Sequence, residues 1–346
     1  MGRLADLAFV DMILGPDFCD VKGVAGTDGQ NRTIEADYPA DVQRLRELCA
    51  STARSKDSAE FSVVFDGAKL RVTGMIDDGE QEIWLISRTG AEVMSIHQLN
   101  LPKQVIDAVM APDLSGLVLI IGSFGVGKTT TGGSLFAARV EALGGLGLAF
   151  EEPPELDMSG PRGKGRIIQI PITAQSPTQS LLERGLRSRA ENFFFGEIRN
   201  GSTAIEVQHI AVNDRPIFGT IHAETLWQAL MKFQAYCRSK DSSSEALNAM
   251  LAESLSVLIH LSLEKVPTPE GGFTRRVTPR CLVLGKGDDP ARAKIRAGDF
   301  RALTDEIAAQ GSARSFRPGG SDRPSFASAS APDPTGQGRV PAWRMK

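Results

Sequence analysis

The chain has no C-x-x-C pair: its four cysteines, Cys19, Cys49, Cys237 and Cys281, stand far apart. Neither a zinc site nor a disulfide frame is therefore expected, and the thiols read as buried and reduced, as in a cytosolic protein. A run of about twenty apolar residues is also missing, so no membrane span is expected. Asp6 and Asp11 interrupt the apolar stretch LADLAFVDMILG near the start, and no basic segment with a cleavage site brackets it. A signal peptide is not expected. A net charge of −3 over 346 residues gives no general ground for binding nucleic acid. What is present is apolar content: 41% hydrophobic residues can fill one large core or two ordinary ones. Length alone suggests about two domains.

Residues 1–110 carry one helical stretch, ADVQRLRELCASTA, followed by the strand-like AEFSVVFDG, AKLRVTGMI and EQEIWLISR. They read as a small α+β domain. NLPKQVIDAVMAPDLS carries a short helix into Pro112 as a linker. Over 111–310, short apolar strands alternate with helical patterns, as in a helix-flanked, largely parallel sheet, and SLEKVPTPEGGFTRRVTPRCLVLG reads as a hairpin turning at Gly271 and Gly272. The segment 311–346 is rich in Gly, Pro, Ser and Arg without periodicity and reads as a disordered tail.

The stretch GSFGVGKTT follows the buried-strand pattern GLVLIIG and precedes the helical KTTTGGSLFAARVEALG. In such a G-x-x-x-x-G-K-[ST] pattern the glycines let backbone N–H groups close around phosphate oxygens, and the helix N-terminus favours an anion. Gly122, Ser123, Phe124, Gly125, Val126 and Gly127 form the candidate loop. Lys128 would neutralise the terminal phosphates, Thr129 would hold Mg²⁺, and Thr130 continues the cradle. Gly132 and Gly133 lie in the first helical turns, each costing about 1 kcal/mol against Ala. A less rigid helix start is expected there.

Three further strands end in polar residues. LGLAFEEPPE runs into an acidic, proline-containing turn at the carboxyl edge of the expected sheet, where Glu155 could orient an attacking water. NFFFGEIRN delivers Glu197 to a cation site by the Walker B logic. Arg187 and Arg199 flank this strand, open to phosphate, a neighbouring subunit or solvent alone. PIFGTIHAE ends in His222, a candidate sensor of the terminal phosphate. His97, His209 and His260 have no such context.

Taken in order, GSFGVGKT, FEEPPE, FFFGEIR and FGTIH resemble the Walker A, Asp box, Walker B and His box of the type II and type IV secretion and type IV pilus motor ATPases, with the intervals of the pilus retraction type. AKLRVTG and AEVMSIHQLNLP resemble the end of that superfamily's amino-terminal domain, and KIRAGDFRALTDEI its carboxy-terminal helical motif. The resemblance covers about residues 1–310. It implies an α/β fold, with a RecA-like P-loop NTPase domain after a PAS-like α+β domain, and a homohexamer hydrolysing ATP with Mg²⁺. Carried over by residue, Lys128 and Thr129 bind phosphate and Mg²⁺, Glu155 is the base, and Glu197 is the Walker B acid that meets the metal. His222 is the His-box residue, while Arg71 and Arg88 are the arginines that close over the phosphates from the amino-terminal domain; Arg199, from its own place after the Walker B strand, is a further candidate catalytic residue. The implied partner is an inner-membrane platform or channel protein, and the implied location is the cytoplasmic face of a bacterial inner membrane. Direct specific nucleic-acid binding is not expected.

The departures are Glu152 for the usual Asp, Asn200 and Ser202 after Walker B, and Asn213-Asp214-Arg215 before the His-box strand. They keep a second reading open, a nucleotide-binding ring subunit with little turnover. An unrelated P-loop kinase would leave the later boxes unexplained. The absence of a four-cysteine insertion favours a retraction or type IV secretion member over an assembly motor.

Overall fold

Alternating apolar residues build the first of two sheets. The computed structural model describes residues 3–7, 9–24, 31–172, 178–213, 215–238, 243–267 and 273–312. In it, β1 (Asp11–Leu14), β2 (Cys19–Lys22), β3 (Arg32–Thr33), β4 (Glu60–Phe65), β5 (Ala68–Ile76) and β6 (Glu82–Thr89) form an antiparallel sheet ordered β3-β2-β1-β6-β5-β4. Phe61, Val63, Leu70, Val72, Trp84 and Ile86 are buried on one face, under Val42, Leu45 and Cys49 of α1 (Pro39–Lys56). Pro39 sits in the first turn of that helix, where its missing N–H costs nothing, and Asp57 ends it in the left-handed region at φ 46°. The strands β1 to β3 are not among the expected segments. At four residues or fewer, they are too short for alternation to be legible.

The second sheet follows α2 (Lys103–Met110). In chain order come β7 (Gly116–Gly122), α3 (Lys128–Leu143), β8 (Gly145–Glu151), β9 (Gly160–Arg162), β10 (Gly165–Pro171), α4 (Thr178–Arg187), β11 (Asn192–Phe195), α5 (Gly201–Ala211), β12 (Pro216–His222), α6 (Leu226–Cys237), α7 (Ser244–Ser254), β13 (Leu255–Pro267), β14 (Phe273–Val283), α8 (Pro290–Arg296) and α9 (Leu303–Ser312). The strand order is β14-β13-β7-β12-β11-β8-β10-β9, with β13 to β10 mutually parallel and the two edges antiparallel. Successive side chains go to opposite faces, and both faces are covered. Leu117, Leu119 and Ile121 pack with Phe193, Phe195 and α5 to α9, whereas Val118 and Ile120 pack with Phe194, α2 and α3. That is why GLVLIIG and NFFF read as unbroken apolar runs. The hairpin expected over 262–285 is β13 and β14, paired from Val257 with Val283 to Pro267 with Phe273. Its expected turn at Gly271 and Gly272 lies outside the described residues. Helix α9 takes in Gly311 and Ser312, and the remainder of the expected tail, 313–346, lies outside the described residues.

Gly132 and Gly133 have a packing reason for lacking a side chain. A Cβ on Gly132 would come within 3.1 Å of both Ile120 and Phe194, and one on Gly133 would come within 2.4 Å of Leu156. Both glycines are buried. They let α3 lie close on the sheet and against the turn that follows β8.

Candidate functional site

The carboxyl ends of β7, β12, β11 and β8 lie side by side, and a cleft of about 350 Å³ opens at that edge. Ligands of open α/β sheets bind at such an edge. Phe124, Gly125, Gly127, Lys128, Thr129 and Thr130 line it from the loop between β7 and α3. Gly125 and Gly127 hold φ of 70° and 94°, a region costly for residues with a Cβ. Space is open around both. Of the other predicted loop residues, Gly122 closes β7, and a Cβ there would meet Val126 at 2.6 Å. Val126 is buried, and Ser123 offers its carbonyl to Lys128 Nζ at 2.8 Å. Burial holds the half-buried Lys128 ammonium below the usual lysine range, against the pull of the Glu197 and Glu155 carboxylates.

Acids face this loop from two strand ends. Glu155, Glu152 and Glu151 line the cleft after β8, and Glu197 and Arg199 line it after β11. Arg199 is ion-paired to Glu152. Burial works against its charge, but the Glu152 hydrogen bond and charge outweigh that and raise the guanidinium above its usual range. The first sheet reaches the same cleft through Arg71 on β5. Two contacts tie the sheets together beside it. The N–H groups of Gly90 and Ala91 donate to the Glu155 carbonyl at 2.7 and 3.2 Å, and Lys69 pairs with Asp157 at 2.9 Å.

Outside the loop, three predicted residues are not among those lining the cleft. Arg88 is set apart by register: Leu70 pairs with Arg88 and Arg71 with Ser87. Directly paired residues share a face, so Arg88 shares that of buried Leu70, opposite to Arg71. It donates to the carbonyls of Leu7 and Ala5 and lies 5.6 Å from the Phe9 ring. His222 also stands back from the cleft. Its ring stacks on Phe124 at 4.1 Å between centroids, and its Nδ1 is buried without a partner among the described residues. Arg187 is exposed on α4.

Asn200 caps α5 by accepting from the Thr203 N–H at 2.9 Å, and Ser202 donates to the same side-chain oxygen at 2.8 Å. The departures after Walker B therefore serve the helix start, a role open to Asn as well as Asp. Arg215 donates to the Ala190 carbonyl and Asn213 to that of His209, while Asp214 lies outside the described residues.

The residue pattern missed in the sequence is Glu151 with Gln169. Glu151 is the last residue of β8, only 2% exposed, and Gln169 of β10 donates to its Oε2 at 2.7 Å. Burial, helped by the charge of Glu155 and opposed by the Gln169 hydrogen bond and the nearby Glu155 amide, pushes its carboxyl up to about 7. A signal existed: Leu148 and Phe150 pack on one face, so alternation sends Glu151 to the face covered by α3.

A polyphosphate fits the loop, given its two left-handed glycines, the open space around them and Lys128. No group of three or more His, Cys, Asp and Glu is arranged to hold a metal among the described residues. Thr129 and Glu197 suit Mg²⁺, which commonly takes one or two protein ligands and completes its shell with phosphate and water.

Loop, acids and parallel sheet define a P-loop NTPase domain of RecA-like build, set behind a small α+β domain. No protein-family model matches the chain. Among solved structures it is similar to the pilus retraction motor PilT with bound ADP, with a TM-score of 0.70 and 20% identity over 89% of this chain and 90% of that one. It is also similar to the ATPase DotB of Legionella pneumophila, with a TM-score of 0.64 and 17% identity over 88% of each chain. Among curated proteins it is 27% identical, over 226 residues, to the protein transport protein HofB homolog of Escherichia coli K12. That match covers 62% of this chain and 47% of the relative, so the chain spans about half the length of the curated relative it matches. In fold as in motif, the chain resembles the secretion and pilus motor ATPases. Among the described residues no helix is long and apolar enough to cross a membrane.

Proposed function

We propose that the chain is a subunit of an ATP-hydrolysing homohexameric motor. It powers a type IV pilus of the retraction type, or a related type II or type IV secretion machine, from the cytoplasmic face of a bacterial inner membrane. The observation that carries this reading is the convergence on one cleft of Lys128 and Thr129, Glu155 and Glu197, and Arg71 of the other sheet. ATP bound there places its terminal phosphates against the loop and Lys128. Mg²⁺, when bound at Thr129 and Glu197, supplies charge neutralisation between the phosphates. Glu155 orients the water, and Arg71 with Arg199 stabilises charge on the transferring group, a preorganised role in which one donor is worth about 10²–10³ in rate. Since Arg71 stands on the first sheet, nucleotide occupancy bears on how the two sheets sit, and that movement is the motor stroke delivered to a membrane partner.

The low-turnover ring subunit is the weaker reading, because Asn200 and Ser202 are accounted for by the α5 cap. Steady-state phosphate release decides between them, with oligomer mass recorded on the same samples. Turnover lost in both Lys128→Ala and Glu155→Ala, with ATP still bound by the latter, is expected. An assembled wild-type ring that binds ATP without turnover, even with membrane partners added, would overturn the motor.

A further inference from the structure

The phosphate loop carries one aromatic ring, and it stands in the open. Phe124 is 78% exposed and lines the cleft. It meets two groups there. Its centroid lies 4.1 Å from that of the His222 ring with 32° between the planes, and Lys128 Nζ lies 5.6 Å from the same centroid. A ring at that separation covers one face of the imidazole, and His222 itself is not among the residues lining the cleft. The backbone of His222 is held: it pairs with Gly122 at the base of the loop, and Lys232 Nζ donates to its carbonyl at 3.1 Å. Only the side chain is left to move. Its place beside the ring is a costly one, because Nδ1 is buried there without a hydrogen-bond partner among the described residues. Lys128 is given to a neutral acceptor, the Ser123 carbonyl at 2.8 Å, although an ammonium bonds a phosphate anion more strongly. A polyphosphate in the cleft therefore meets a stack that it has the means to undo.

We propose that Phe124 sets the preference of this site between nucleoside triphosphate and diphosphate by screening His222. This rests on the nucleotide-binding part of the reading above and names a regulation of the same site. Either nucleotide draws Lys128 from the Ser123 carbonyl and so takes the cation from beside the ring. Only the third phosphate offers the imidazole an acceptor, and His222 reaches it once the ring is displaced. A diphosphate fills the loop and leaves the stack as it is. The small share of molecules with the ring displaced thus lowers the apparent affinity for the triphosphate and not for the diphosphate. Phe124 is a positioning residue in this scheme, acting on the nucleotide through His222.

The test is equilibrium binding of two fluorescent nucleotides to the full chain, an ADP and a non-hydrolysable ATP analogue, each with Mg²⁺. Phe124→Ala removes a largely exposed side chain, so the fold should bear it, and Phe124→Thr stands in if it does not. Phe124→Ala should tighten the ATP analogue by about tenfold, the scale of one hydrogen bond to a charged group, and leave ADP within about twofold of wild type. That gain should vanish when His222→Ala is present in both chains, which simple removal of an obstructing ring would not produce. Without nucleotide, diethyl pyrocarbonate should modify His222 several-fold faster in Phe124→Ala than in wild type, with His97, His209 and His260 as internal references. Equal tightening of both nucleotides, unaltered affinity for the analogue, a gain that survives His222→Ala, or an unchanged rate at His222 would each overturn the proposal. Failure of the ATPase reading looks different: phosphate release would be absent in wild type and Phe124→Ala alike, while the two titrations would still decide the role of Phe124. Wild type that binds neither nucleotide would sink both.

Discussion

The central strands of the parallel sheet are buried on both faces, and the antiparallel sheet buries one. In the parallel sheet every residue of β7 and β11 is buried, so polar chemistry can leave it only at the strand ends. Lys128, Glu151, Glu197 and His222 all follow or close a strand. In the antiparallel sheet the face away from α1 stays partly open, with Val64 63% exposed and Arg71 half-buried among its residues. A side chain in mid-strand can serve a site there. The lesson concerns parity. In the first sheet, which face a residue takes decides its use, as Arg71 and Arg88 demonstrate, whereas in the second, distance from the strand end decides.

Substitutions of matched size should break this symmetry. Phe194→Ala, in the doubly covered sheet, removes a fully buried ring stacked on Phe136 at 5.7 Å. It should cost about 3–5 kcal/mol in urea unfolding. Glu151→Gln should change stability in a pH-dependent way. Burial pushes the folded carboxyl up to about 7, from an ordinary glutamate value of 4.5. Between these pH values the native state keeps a proton that the unfolded chain has lost, so stability falls as pH rises through the window and levels off above it. The full difference is roughly 3 kcal/mol at about 1.4 kcal/mol per pH unit. Urea midpoints of wild type and Glu151→Gln should agree near pH 4.5 in relative terms and diverge in favour of the variant by pH 8. A constant offset would deny the buried charge.

Gly133→Ala should gain helix propensity yet lose about 1–3 kcal/mol, because its methyl overlaps Leu156. A stabilised variant would show that α3 can retreat from the turn. Asn200→Ala should cost about 1 kcal/mol through the lost cap. Smallest of all, Val64→Ala on the open face should stay within about 0.5 kcal/mol. A larger loss with rising protein concentration would show that another surface covers that face.

The four boxes were legible because their chemistry restricts residue types at fixed spacing, and the strands carrying them because burial on both faces leaves uninterrupted apolar runs. Other features were hidden for identifiable reasons. Glu151 lies in FEEPPE among three acids, and only the packing of Leu148 and Phe150 assigns its face. The use of Gly132 and Gly133 depends on Leu156 and Phe194, which sequence does not place beside them. Arg88 lies one residue from the face that meets the cleft, and a motif interval cannot carry that parity across a hairpin.

The most direct test of the account is equilibrium binding of a fluorescent ADP, with Mg²⁺, to the full chain beside Lys128→Ala and Arg71→Ala. Saturable binding displaced by ATP, and weakened at least about tenfold in each variant, is the predicted result, since one charge-assisted contact is worth about 1.5–3 kcal/mol. Binding that ignores both substitutions, or no binding by the wild type, would contradict a nucleotide site shared between the two sheets.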